Sequence, residues 1–293
     1  MNKEELQKLE ELEILEQLKN YKYNALDLPM HLRSSAEFMY KAVQIHGDVL
    51  FNATDSIKND EKVVRAALRY NSENFQYVSP TLQDNKEIVL LAVEKNGEIV
   101  KYASERLKSD KDVALVALSH TGDAIYFLDE KLKKDPDIIK TALKSSGLSI
   151  RLFSTEVQND REYCLIAAKS DGMSLSHMSS DFKNDKEIVL NAILNYPPSL
   201  SLASQYLRDD EEVVTIAMSK DPETLFYASQ RIQDNFEFLK ILRSQYDKIS
   251  YDRQSWFKER VDFLIEEQIN QERQWLENNI PESHQITIKP KKF

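Results

Sequence analysis

Alanine recurs every 25 residues along this chain, at Ala42, Ala67, Ala92, Ala117, Ala142, Ala167, Ala192 and Ala217, without one insertion or deletion. A fixed period of that size marks an array of one small structural unit stacked on itself. Seven residues before each alanine stand Ser35, Asp60, Asn85, Asp110, Asp135, Asp160, Asp185 and Asp210. Asn235 extends that column into a degenerate ninth copy, where Leu242 replaces the alanine. All are residue types that cap helix amino termini. Five residues after the alanines come Gly47, Ser72, Gly97, Gly122, Gly147, Gly172, Pro197 and Pro222, the types expected where a helix stops.

Within a unit the apolar spacing is helical. After Asp185, the residues Ile188, Val189, Ala192 and Ile193 share one face, and Pro136 directly after Asp135 suits a first helical position. A capping box from Asn184 to Glu187, one residue out of phase, is the alternative start. A second helix carries Leu200, Ala203 and Leu207, matched by Val100, Ala103 and Leu107 and by Leu225, Ala228 and Ile232. Ser79, Ser104, Ser154, Ser179, Ser204 and Ser229 are expected in its middle, where small side chains let neighbouring helices approach. A helix pair this short cannot bury its own apolar faces, so the units must stack. The expected fold is all-α, an α-solenoid of about eight 25-residue two-helix repeats over residues 35–234, with capping helices at both ends.

Residues 1–34 supply the first cap and a linker, with Leu6, Leu9, Leu12, Ile14, Leu15 and Leu18 set among glutamates over residues 3–19. Residues 235–280 hold the ninth repeat and a longer capping helix marked by Trp256, Phe257, Val261, Leu264, Ile265, Ile269 and Trp275. The segment PESHQITIKPKKF, 281–293, is polar and basic and is expected to be a flexible tail.

Composition narrows the function classes. A net charge of −10 argues against nucleic acid, whose phosphates demand a basic stripe. The single Cys164 excludes an internal disulfide, and no His/Cys cluster has zinc spacing, so no metal or cofactor is expected. The amino terminus is charged throughout and no long apolar run exists, which points to a cytoplasmic monomer without membrane insertion.

The stretch LQDNKEIVLLAVEKNGEIVKYASERLKSD, Leu82 to Asp110, resembles the helical-repeat family called domain of unknown function 4116. That pattern joins a D-K-E-[IV]-V-x-x-A-[VL] helix to an N-G stop and an L-x-Y-A-S-x-x-L helix. The resemblance covers about residues 35–234; the unit at 160, with Cys164, His177 and Met178, departs from the pattern. It implies an interaction module of the kind found in intracellular bacteria and protists, including effector-like proteins that act in a host cell. Glu259, Glu266, Glu267, Glu272, Glu277 and Glu282 are similar to the glutamate-rich carboxyl-terminal signals of type IV effectors, and they equally suit a solvated helix face.

Candidate chemistry is weighed against the repeat, because a residue that recurs in its column is accounted for by the fold. Glu87, Asp112, Asp137, Glu162, Glu187 and Glu212 lie near helix starts, where the dipole favours carboxylates. The column Lys58, Gln83, Lys108, Lys133, Gln158, Lys183, Arg208 and Gln233 lies near helix ends, where cations are favoured; a basic binding ridge is the other reading. Cys164 shares an apolar column with Val64, Val89 and Val189, so a core residue is expected rather than a nucleophile. The column of Tyr77, Tyr102, Phe127, His177 and Tyr227 is the candidate partner-binding surface of a non-catalytic scaffold; packing of these rings between neighbouring units is the other reading. The alternative is an enzyme or enzyme regulator whose site uses the off-pattern residues of 160–184, above all His177 and Cys164.

Overall fold

The computed structural model describes residues 3–21, 24, 27–235, 238 and 254–279. Every described element is helical, with no strand among the described residues, and the chain is an all-α repeat solenoid. The repeat that opens at Asp60 shows the local logic. Asp60 accepts the Val63 N–H at 3.1 Å and starts the helix Glu61–Tyr70, which buries Val63, Val64, Ala67 and Leu68. After Asn71 the chain tightens into the 3-10 helix Ser72–Tyr77, turns extended, and closes with the one-turn α-helix Pro80–Gln83.

The expected second helix is therefore two pieces. Its serines are not mid-helix residues but amino-terminal caps: Ser79, Ser104, Ser204 and Ser229 accept the N–H groups of Leu82, Leu107, Leu207 and Ile232 at 3.2–3.4 Å. A serine hydroxyl competes well for a backbone N–H, and this competition breaks the helix where apolar spacing alone predicts continuity. The buried stripe survives the break, since Val100, Ala103 and Leu107 all lie in the core.

At several of these breaks the extended residue also laces one repeat to the one before it. The N–H groups of Ser79, Ser104 and Asp129 donate to the carbonyls of Lys58, Gln83 and Lys108 at 3.0–3.2 Å. The hydroxyl of Ser79 donates to Asn59 Oδ1 at 2.6 Å, and that of Ser104 to Asp84.

The chain forms two compact units, Met1–Met178 and Ser179–Phe293, so the division falls inside the repeat array. In the first unit the helix Lys3–Lys19 packs on Ala36–Ile45 through the buried Ile14 and Leu18. Its Leu6, Leu9 and Leu12 are exposed, so only its carboxyl-terminal half acts as a cover. The second unit repeats the same lacing, Ser204 to Lys183 and Ser229 to Arg208, both at 2.8 Å. It ends in the helix Gln254–Asn279, which buries Ile265 and exposes Ile269 and Trp275. Leu242, the side chains of Trp256, Phe257, Val261 and Leu264, and the 281–293 segment lie outside the described residues.

The glycine column does more than stop a helix. None of these glycines has positive φ. A Cβ on Gly97 would stand 2.1 Å from the Ala117 carbonyl oxygen; on Gly122, 2.4 Å from that of Ala142; on Gly147, 2.2 Å from that of Ala167. Gly97, Gly122 and Gly147 thus receive the helix end of the following repeat, whereas a Cβ on Gly47 would meet the Tyr70 and Asn74 side chains. Where the column holds Ser72, the facing helix is shorter: Lys86–Val93 has 8 residues against 10 in Lys111–His120. The Ala92 carbonyl then accepts from Lys95 rather than from the residue four ahead.

An ion-pair ladder adds to this packing. Lys86, at the first helical position, bridges Asp110 at 2.9 Å and Asp112 at 2.7 Å in the next repeat; Lys111 bridges Asp135 and Asp137 at 2.8 and 2.7 Å. In the second unit Lys186 bridges Asp210 and Glu212 at 2.8 and 2.7 Å. Arg65 and Lys140 reach Glu87 and Glu162 at 2.8 and 2.7 Å. Partial burial raises the Asp110 carboxyl's pKa, but the Lys86 ammonium and the N–H groups of Val113 and Asp112 outweigh it and hold the group below its ordinary value.

Gly122→Ala is expected to destabilise the first unit by roughly 1–3 kcal/mol in urea denaturation, because backbone rather than a movable side chain meets the new methyl. Asp110→Asn keeps a cap, as Asn85 does in the same column, and removes the charge. Since the folded carboxyl is depressed, its contribution is present above the ordinary aspartate value of 3.8 and lost as pH falls through the folded one. The wild type should be the more stable at pH 7 and lose that advantage in acid below 3.8, read as converging thermal midpoints.

Candidate partner-binding face

Six 3-10 helices of the first unit, Gly47–Asn52, Ser72–Tyr77, Gly97–Tyr102, Gly122–Phe127, Gly147–Leu152 and Gly172–His177, pack each against the next. With about three residues per turn, positions three apart eclipse. In Gly97–Tyr102 this turns Gly97 and Val100 into the core and Glu98 and Lys101 outward. The side chains of Asn71, Asn96 and Asp171 accept the first free N–H groups, at 3.0, 3.0 and 2.8 Å.

The outward face carries an aromatic band, interrupted by Gln76 and Lys101. Phe51 is 48 % and Tyr126 67 % exposed. Phe51 meets Tyr77 edge-on, with ring centroids 5.1 Å apart, and Tyr126 meets Phe127 edge-on at 5.2 Å. The Lys101 ammonium sits 5.0 Å from the Tyr102 ring centre and 5.9 Å from that of Phe127. Beside the rings runs a row of carboxylates, Asp48, Glu73, Glu98 and Asp123. Asp123 pairs with Arg151 and Glu73 accepts from Asn96 at 2.8 Å, while Asp48 and Glu98 meet no cation among the described residues.

Of the candidates drawn from the sequence, Tyr77, Tyr102 and Phe127 lie half-buried on the flank of this band, and His177 is exposed at its far end. Tyr227 is exposed in the second unit and is described apart from them. Phe51 and Tyr126, one position earlier, are the most exposed rings of the band and were not among the candidates. Their column, Phe51, Gln76, Lys101, Tyr126, Arg151 and Ser176, does not repeat, and that variability was the available sign of an outward position.

Cys164 is buried, its Sγ donating to the Gln158 carbonyl at 3.2 Å; burial, with the Asp160 charge second, pushes the thiol up to about 12. A sealed thiol and a solvent-facing His177 do not line one site. The basic column has local roles: Lys108 pairs with Glu105 at 2.9 Å and Lys133 with Glu130 at 2.6 Å, and Gln158 donates to the carbonyls of Ile150 and Phe153 at 3.3 and 3.0 Å. Among the described residues no group of three His, Cys, Asp or Glu could hold a metal, and no helix is long and apolar enough to cross a membrane.

The family model described as domain of unknown function 4116 matches residues 35–83, 85–133, 110–158 and 160–208, more than half of the chain. The chain belongs to this family. Every match opens on the capping column, at Ser35, Asn85, Asp110 or Asp160, and spans two of the 25-residue repeats. The overlap of the second and third matches shows that a domain of unknown function 4116 module can begin at consecutive repeats, and the fourth includes the off-pattern unit of Cys164 and His177. No match is found among curated proteins or solved structures.

Tyr126→Ala should cost less than about 1 kcal/mol, since the ring is mostly exposed and loses one edge-on contact. Tyr77→Ala should cost about 1–2 kcal/mol, since it removes a half-buried ring and an edge-on contact. Urea denaturation of the two variants separates surface from support.

Proposed function

We propose that this protein is a non-catalytic scaffold that binds a protein partner along the outward face of the 3-10 helices of its first unit. The observation that carries this reading is the exposed Phe51 and Tyr126 in ring contact with Tyr77 and Phe127. Exposed ring pairs are costly to leave in water, and tyrosine combines a large apolar area with a polar tip at small entropic cost. The face is also preorganised, because each 3-10 helix is fixed by the repeat behind it. The buried, high-pKa Cys164 weighs against the enzyme reading of the 160–184 repeat.

The family's effector-like members support a partner inside a host cell. The exposed Glu266, Glu267 and Glu272 on Gln254–Asn279 suit a secretion signal and a solvated helix equally.

A photoreactive phenylalanine analogue placed at Tyr126 tests the reading against the same analogue at Ser119, exposed on the α-helical side. Covalent protein adducts from host-cell lysate are expected at position 126 and not at 119. Equal labelling at both, or labelling at 119 alone, would remove this face from consideration.

A further inference from the structure

We infer that the partner presents an extended, basic segment to this face, its lysines or arginines seated between the aromatic band and the carboxylate row. This rests on the scaffold reading above and narrows it to one partner chemistry. The face already holds two cations of its own: the Lys101 ammonium lies over the Tyr102 and Phe127 rings, and the Arg151 guanidinium pairs with Asp123. Both modes of cation recognition, ring and carboxylate, are therefore built at neighbouring positions of one surface.

The row has capacity left. Asp48 and Glu98 project from the same side of their 3-10 helices as Phe51 and Lys101, three residues apart and so eclipsed, and meet no cation among the described residues. The acidic groups of the α-helical side differ in this respect, since Glu87, Asp112, Asp137 and Glu162 are each closed by a cation of the preceding repeat. An acidic partner segment would meet like charge along the row, and a neutral one would leave the carboxylates desolvated without compensation.

Repeat spacing favours an extended segment. Helices packed side by side stand about 8–10 Å apart, and three residues of a polyproline-type chain advance about 9.3 Å. A cationic residue at every third position thus stays in step with successive repeats.

The experiment uses the full chain and a fluorescent peptide of about twelve residues with arginine at every third position and proline between, long enough to follow about four repeats. Fluorescence anisotropy should show binding about tenfold tighter than for the glutamine analogue and weakening with salt. Asp48→Asn with Glu98→Gln should weaken it about tenfold, and Phe51→Ala with Tyr126→Ala at least as much. Glu87→Gln with Glu162→Gln, on the other side, should leave it unchanged.

Equal weakening by both acidic pairs would reduce the effect to overall negative charge and overturn the inference. So would equal binding of the glutamine peptide, or no binding at all. If the intact chain fails to bind while a chain ending at Asn279 binds, the segment beyond it, with Lys289, Lys291 and Lys292, covers the face in cis and the proposed partner is wrong. Adducts at position 126 without peptide binding would leave the scaffold reading standing and discard only the basic segment.

Discussion

The close approach of the Ala117, Ala142 and Ala167 carbonyls to Gly97, Gly122 and Gly147 of the preceding repeats sets the geometry of the central part of this structure. A Cβ at Gly97, Gly122 or Gly147 would fall within 2.4 Å of the facing carbonyl oxygen, so the distance between successive repeats is fixed by the absence of one atom. Helix caps, serine lacing and the lysine ladder all act across that distance. Lys86 can reach both Asp110 and Asp112 only because the next helix start is held one close-packed step away. Opposite Ser72 the facing helix is two residues shorter and its end tightens, whereas opposite Pro197 the helix Glu211–Lys220 keeps its full 10 residues.

The same constraint creates the candidate face. Between the alanine-bearing helix and the short closing helix the chain crosses the layer largely as a 3-10 helix of six residues. That tighter helix turns its first and fourth residues inward and its second and fifth outward, which brings Glu98 and Lys101, or Asp123 and Tyr126, onto one surface. Side-chain chemistry on this face varies from repeat to repeat, as in Phe51, Gln76, Lys101, Tyr126, Arg151 and Ser176.

How much of this could be read from the chain depends on what repeats. The alanine and capping columns disclosed the array, its phase and its core, because any departure from them would be felt by two neighbours at once. The split of the second helix was hidden, since Val100, Ala103 and Leu107 keep helical spacing across a break made by the Ser104 hydroxyl. The glycines looked like helix stops because stopping and close packing favour the same residue. At the surface the logic inverts: Tyr77, Tyr102 and Phe127 drew attention by recurring, and recurrence marked them as half-buried supports. Phe51 and Tyr126 were passed over because their column changes at every repeat, which is what an outward column does.

The lysine ladder gives the array a direction of assembly. Each rung runs from the first helical residue of one repeat to the carboxylates of the next, so a repeat has a donor edge and an acceptor edge that are not interchangeable. Whole repeats carrying lysine can be duplicated in tandem without stranding a charge, whereas the repeats of Glu61 and Pro136 lack that lysine and reach the next repeat through Arg65 and Lys140 instead. Growth of such a chain by duplication is thereby channelled to particular joints, and every added repeat would extend the outward face by one further, freely mutable step. The length of that face is in this sense a countable trait, altered by recombination while its individual positions are altered by substitution.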